Sequence, residues 1–477
     1  MLALPPVVSP RARHFLRLRS LRSPPLRGGL RSPPVAADAV TRPLGDTERA
    51  FWLLDRGTSF NGLHVAHVEG PLDEALLRAA LDRVQARHPL LRMRVAGGDG
   101  APRFTPTDAR VPIEVVPRAD ERTWIEAAER ALNRRFPTEE GLLSRVTLVA
   151  GDGRSDVLFA HHHAMADAQS DFFVLRELLE NAGALAAGAP PPSLEVLPLR
   201  PALNALLRRA TRSLRHLYTM SAFFFRLLWT SLVLRPRQLA SERAAPPEER
   251  ANRLVHRRLT VEETRSLTAR CRDEGTSVQG ACAAALLLAA ADDLGLARPA
   301  HLGCFAGVTL RDRLSPPVGD EVGCYVSQVV TVHRVERGGA PWPLARDVKR
   351  RLTTTLRIGA HLVTMPMIGL FIPRGDDPGP RFVRRFDGAS TGAVGVTNVG
   401  RVPLAPRYGA LAVRGYDIAV GVSVVGKLLA AVTTFDDALS FNVVFVEPLV
   451  GRARAIAIAD GALAHLRRAL AAPPGAR

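Results

Sequence analysis

Residues 63–70, "LHVAHVEG", alternate apolar and polar positions, the period-two pattern of a half-buried strand. Gly70-Pro71 breaks the pattern. From Asp73 the period changes: Leu76, Leu77, Ala80, Leu81 and Val84 recur at helical spacing, and Pro89 ends that helix. "LLRMRV" then predicts a strand, residues 121–135 a helix, and "LLSRVTLVA" a further strand. The turn "GDGRS" leads into its partner, "DVLFAHHH". From Ser170 the residues Phe172, Phe173, Leu175, Leu178 and Leu179 form a helical apolar face. This mixed α/β unit closes near residue 185.

"GALAAGAPPPSLEVLPLRP" has linker composition. Residues 217–234 beyond it are apolar apart from Arg226 and a few small polar groups. An arginine near mid-span is costly in a bilayer. The flanking Arg208, Arg209, Arg212, Arg215, Arg235 and Arg237 suit an amphipathic helix lying at an interface. A helix lidding a pocket fits the same pattern. After "ERAAPPEER" the α/β pattern resumes. "TVEETRSLTARCRDEG" predicts a helix, "SVQGACAAALLLAAADDLG" a buried one, and "HLGCFAGVTL" a strand. Strand segments follow across Gly426-Lys427 and Asp436-Asp437, then a helix from Arg452 to Leu470. The order of elements repeats that of the first unit. Four segments result: 1–38 a disordered Arg/Pro-rich tail, 39–185 a first half, 186–250 a linker with an apolar amphipathic helix, and 251–472 a second half.

Composition changes this picture little. At 477 residues and 47% apolar the chain can bury more than one core. The net charge of +18 is carried almost wholly by arginine, Lys349 and Lys427 being the only lysines. No basic stripe is interleaved with aromatics, which argues against a nucleic-acid partner. A basic surface suits a phosphate-bearing coenzyme, an acidic carrier protein or anionic lipid. The four cysteines, Cys271, Cys282, Cys304 and Cys324, form no C-x-x-C pair and fit a reducing, cytoplasmic setting.

The chemistry concentrates in "HHHAMADA", residues 161–168. A strand ending at His163 and a helix starting after Asp167 leave a loop of a few residues. A neutral imidazole there can take the proton of an attacking hydroxyl near pH 7. Asp167 can equally be the N-cap of the following helix, and a histidine at a strand end can be no more than a satisfied polar group. Neighbouring histidines on a strand point to opposite faces, and no H-E-x-x-H or second ligand cluster follows, so no metal is expected.

Four stretches in order, "GDTERAFWLL", "GPLDEALLRAALDRVQARHPLLRMRV", "HHAMADA" and "EVGCYVSQV", resemble the condensation-domain superfamily of CoA- and carrier-protein-dependent acyltransferases, marked by H-H-x-x-x-D-G. "VTNVGRVPL" resembles the branch of alcohol acetyltransferases and phthiocerol/phthiodiolone dimycocerosyl transferase. The resemblance covers about residues 41–470. It implies two chloramphenicol-acetyltransferase-like halves forming a pseudo-dimer with a channel between them. It implies His163 as general base and Asp167 as a scaffold carboxylate paired with an arginine, by position Arg92. His162 is expected to shape the loop, and His161 to finish the strand. Thr397 and Asn398 are candidates for the oxyanion donor or a substrate contact. Ala168 departs from the family's Gly.

The expected activity is transfer of an acyl group from a CoA or acyl-carrier-protein thioester to an alcohol, with no bound cofactor and no acyl-enzyme. Three alternatives stand beside it: a wax-ester or diacylglycerol synthase-like enzyme touching a membrane surface through residues 203–237, an amide-forming condensation enzyme, and a non-catalytic carrier-protein docking module. The missing D-F-G-W-G and Y-x-D-[FY]-A-V-W segments argue against the plant acyltransferase and peptide-synthetase branches.

Overall fold

A computed structural model describes residues 41–98, 100–207, 214–365, 367–373, 378–387 and 392–472. The expected tail, 1–38, lies outside the described residues, as do 208–213 of the linker.

Two six-stranded sheets organise the chain. In the first, the order is Arg407–Tyr408, Leu411–Val420, Asn61–Glu69, Arg154–His162, Ser144–Ala150 and Ile113–Pro117. In the second it is Val326–Val335, Ala300–Thr309, Val394–Arg401, Leu428–Phe435, Ala438–Glu447 and Ala251–Leu259. The first sheet does not follow the chain order expected of it. Strand Leu411–Val420, which lies in the second half by sequence, pairs antiparallel with Asn61–Glu69. The two halves are therefore stitched together by backbone hydrogen bonds, and Tyr416 and Ile418 join the core under the first sheet.

Local chemistry explains where the helices begin. Asp73 caps Glu74–Arg87 by accepting from the Leu76 amide at 2.8 Å. Thr260 and Glu263 form a reciprocal capping box at the start of Val261–Asp273, at 3.1 and 2.9 Å. Ser277 caps Val278–Asp293, whose residues 280–291 are all buried. That helix is the centre of a second core, packed against Pro341–Arg357 and Arg452–Ala471. "LLRMRV" differs from expectation: Pro89–Arg92 is a 3₁₀ turn and only Met93–Ala96 is strand. Proline at the first position of that turn favours it, because its missing N–H has no partner to lose there.

The linker carries helix Leu214–Trp229, continued by a π turn, Thr230–Leu234. Among the described residues no helix is long and apolar enough to cross a membrane. Arg226, the charge that made a span costly, turns inward, and its Nη1 donates to Thr355 Oγ1 at 2.8 Å.

Candidate active site

The motif strand Arg154–His162 runs antiparallel between Asn61–Glu69 and Ser144–Ala150, with Asn61 opposite His162 and Gly62 opposite His161. The strand ends one residue early, at His162, so His163 opens the turn. That turn is pinned by its own backbone. The His163 amide donates to Phe60 O at 3.1 Å, and the Met165 amide to His162 O at 2.9 Å. His162 is fully buried, and its Nδ1 accepts from the Ala164 amide at 3.0 Å. The His162 ring thus braces the loop and does not line the cavity.

The His163 ring lies against Phe51 and Phe60, with centroids 4.7 and 5.4 Å away. Its Nδ1 sits 3.0 Å from Ala166 O. A carbonyl only accepts, so Nδ1 carries the hydrogen and Nε2 keeps a free lone pair. Burial, reinforced by neighbouring His161, lowers the imidazole to about 4. The ring is therefore neutral at pH 7 and ready to take a proton.

Asp167 is the N-cap of helix Ala168–Ala186, accepting at Oδ1 from the Ser170 amide at 2.9 Å and the Ser170 hydroxyl at 2.8 Å. The local capping reading is therefore right. The expected ion pair is not. Arg311, not Arg92, meets the carboxylate, its Nη2 3.2 Å from Oδ1, and the Tyr325 amide donates to Oδ2 at 3.0 Å. Arg92 closes the turn Pro89–Arg92, from which the chain enters a small sheet paired with Arg103–Pro106. Arg311 instead follows strand Ala300–Thr309 of the second sheet and reaches across the interface. Burial pushes the Asp167 carboxyl up, but Arg311 and Ser170 outweigh it and hold it below the usual range.

His163 faces a cavity of about 150 Å³ with walls from both sheets. The first contributes Gly62, His161 and Ile418, the second Phe305, Ser327 and Thr397. Thr397 thus shares the cavity with His163. Asn398 does not line it. Successive strand residues face opposite sides, and Asn398 Oδ1 instead accepts from the Gly400 amide at 2.8 Å, at a bulge in Val394–Arg401. Ala168 lies in the cavity wall, where the extra methyl narrows it.

A second, larger cavity of about 750 Å³ adjoins the first, and both are lined by Gln328, Met365, Ile368, Phe386 and Val425. Its outer wall is the linker helix, through Phe223, Leu227 and Trp229. Among the described residues no group of three or more His, Cys, Asp or Glu side chains is arranged to hold a metal ion.

The condensation-domain family matches residues 51–222, and the family described as phthiocerol/phthiodiolone dimycocerosyl transferase C-terminus matches residues 248–447. The chain thus carries a condensation domain followed by a C-terminal domain of the dimycocerosyl transferase type. It is 30% identical over 288 residues to phthiocerol/phthiodiolone dimycocerosyl transferase of Mycobacterium ulcerans, covering 59% of this chain and 64% of that protein. It is 31% identical over 160 residues to a probable non-canonical nonribosomal peptide synthetase of Salinispora arenicola, covering 31% of this chain and 2% of that one. The matched stretches thus span less than two thirds of these relatives. The fold is similar to polyketide synthase associated protein 5 from Mycobacterium tuberculosis, with a TM-score of 0.66, 18% identity, and 91% and 98% of the two chains covered. It is also similar to the first condensation domain of the calcium-dependent antibiotic synthetase, with a TM-score of 0.68, 18% identity, and 92% and 98% covered.

Three residues of the site, two of them in the cavity wall, escaped the sequence reading. Arg311 could be found only through its place at the end of a strand in the other half. Ser327 is buried, lines the cavity, and has no hydrogen-bond partner for its hydroxyl among the described residues. His161 does more than finish the strand: its ring lines the cavity 5.8 Å from that of His163.

Proposed function

We propose that the chain is an acyltransferase that moves an acyl group from a CoA or acyl-carrier-protein thioester to an alcohol, with His163 as general base. One observation carries this reading. The Nδ1–H of His163 is tied to Ala166 O, which leaves Nε2 as a basic nitrogen at a cavity between the two sheets. The acceptor hydroxyl gives its proton to Nε2 while its oxygen forms a bond to the thioester carbon. The carbonyl electrons move to oxygen, then return as the C–S bond breaks. The thiolate takes the proton from the imidazolium, so ester and free thiol leave and His163 is neutral again. The relative named for dimycocerosyl transfer supports this chemistry over amide formation. Asp167 is not part of the cavity wall and serves to fix the turn.

The apolar chamber of about 750 Å³ supports a long aliphatic group on donor or acceptor. Each buried methylene is worth about 0.8 kcal/mol, or roughly fourfold in kcat/KM. Free-thiol release from a series of acyl-CoAs, with a long-chain alcohol as acceptor, tests both points. A rise with each added methylene until the chamber is full is expected. No thiol release from any acyl-CoA or acyl-carrier protein would contradict the reading.

A membrane-surface setting is favoured by the linker helix. Of the twelve large apolar side chains exposed among the described residues, eight lie between Tyr218 and Val233. Tyr218, Phe225, Leu228 and Leu232 fall on one face, with Arg235 and Arg237 just beyond. An apolar face flanked by arginines suits an anionic bilayer surface. The same helix walls the chamber, so a lipid substrate has a short path from bilayer to His163.

A further inference from the structure

Behind His161 stands a wholly buried carboxylate, Asp171, one turn into the helix that Asp167 caps. Its Oδ2 lies 2.9 Å from His161 Nδ1 and 3.5 Å from His64 Nε2. His64 is tied at Nδ1 to the Tyr416 hydroxyl, 2.7 Å away, and burial holds His64 neutral. His161 Nδ1 is thus the basic nitrogen nearest to Asp171 among the described residues. A buried carboxylate without a counter-charge is costly, so the pair settles in a form with no net charge. That form is either imidazolium with carboxylate or imidazole with carboxylic acid. In the first form Nδ1 carries the shared proton, in the second Asp171 Oδ2 carries it and Nδ1 accepts, and in both Nε2 carries a hydrogen of its own.

That hydrogen has no acceptor. His161 Nε2 is buried and without a hydrogen-bond partner among the described residues. The ring owes its position to Gly62, directly across the strand pair. A Cβ there would stand 2.3 Å from the ring's Cε1 and 2.5 Å from Nε2. The glycine is required for space, since the ring occupies the room a side chain would take. The His161 and His163 rings line the same cavity with their planes at 78°.

We infer that His161 is a second catalytic residue, whose Nε2–H donates to the oxyanion that forms when His163 activates the acceptor. This rests on the acyl-transfer reading. It gives the two rings opposite tasks: His163 presents a lone pair and His161 a hydrogen. A donor fixed by Asp171 and Gly62 needs no reorganisation as charge develops on the carbonyl oxygen.

The test pairs kinetics with a readout that needs no turnover. His161→Leu should lower kcat about 100- to 1000-fold, the usual effect of losing one oxyanion donor, with KM changed less than about threefold. His161→Gln, which can still present an N–H, should recover at least about tenfold of that loss. Gly62→Ala should fall toward His161→Leu, with His163 intact. In ¹⁵N-histidine spectra of the whole chain, the His161 Nε2 signal should be of the protonated type near pH 7. Thiol release with an unprotonated His161 Nε2, or with wild-type kcat in His161→Leu, would overturn the inference. A protonated Nε2 in a chain that releases no thiol would instead overturn the acyl-transfer reading beneath it.

Discussion

Arg311 reaches Asp167 across 144 residues of sequence, its Nη2 3.2 Å from the carboxylate, and so ties the second half of the chain to the turn that carries His163. The same nitrogen donates to Ser170 Oγ at 2.8 Å and to Glu321 O at 3.1 Å. The guanidinium also lies over Phe173 and Tyr325, 5.2 and 4.9 Å from their centroids. It therefore holds the first turn of helix Ala168–Ala186 against the loop before Val326–Val335.

Removing that arginine leaves a buried carboxylate uncompensated, which costs about 3–5 kcal/mol. Arg311→Ala should show that loss in urea or thermal unfolding, together with reduced turnover. Arg311→Lys should rescue little, since an ammonium cannot stack and fork as a guanidinium does. Arg92→Ala should cost clearly less than Arg311→Ala. Equal losses would contradict the pairing seen here.

The pH dependence of turnover follows from the neutral base. His163 is lowered to about 4 by burial and by His161, so its protonation removes activity only as pH falls through that value. Asp171, raised to about 6 by burial, is the group that titrates nearer neutrality. In kcat/KM profiles, activity should fall only as pH drops through about 4, and Asp171→Asn should leave that acid limb in place. An acid limb at an ordinary histidine value of about 6.5, unchanged by Asp171→Asn, would count against this assignment.

A separate buried network sets stability at alkaline pH. His67 Nδ1 meets Asp156 at 2.6 Å and its Nε2 meets Asp417 at 2.8 Å. Burial alone would lower His67, but the two carboxylates outweigh it and raise the imidazole from 6.5 to about 9. Its folded value lies above its unfolded one, so its contribution is complete below pH 6.5 and is lost as pH rises through about 9. Asp417 is held well below its ordinary value, so its contribution is present above the usual carboxylate range and lost in acid. Unfolding free energy should drop on the order of 2–3 kcal/mol between pH 6.5 and 9.5. His67→Gln should flatten that slope, which urea titrations at the two pH values will show.

The linker helix offers a test of its own. Phe225, Leu228 and Leu232 are 67%, 58% and 65% exposed. Replacing all three with serine should abolish flotation with anionic vesicles. It should leave unfolding unchanged within about 1 kcal/mol, as expected for surface substitutions. Wild-type flotation by the triple variant would remove the membrane-surface setting.

Much of this was legible in local pattern. Alternation along "LHVAHVEG" and "DVLFAHHH" marked the paired strands Asn61–Glu69 and Arg154–His162, because one strand's facing sides are written in adjacent residues. Asp167 as a cap was legible for the same reason: its acceptor role is three residues long. What failed to show depended on contacts between distant segments. Chain order gave strand Leu411–Val420 to the second half, whereas its edge pairs with the first sheet. Arg92 had a plausible place in the sequence, but the arginine that reaches Asp167 arrives from a loop of the other half. His161 looked incidental until its strand register set it over Gly62 and a helix turn brought Asp171 behind it.

The central claim is that His163 removes the acceptor's proton, and one measurement meets it directly. Thiol release from a long-chain acyl-CoA and a long-chain alcohol should be compared between the wild-type chain and His163→Ala, after unfolding curves show both folded. Loss of general-base catalysis predicts a fall of about 100- to 10,000-fold in kcat, with the stability of the fold preserved. A His163→Ala chain that releases thiol at the wild-type rate would contradict the account.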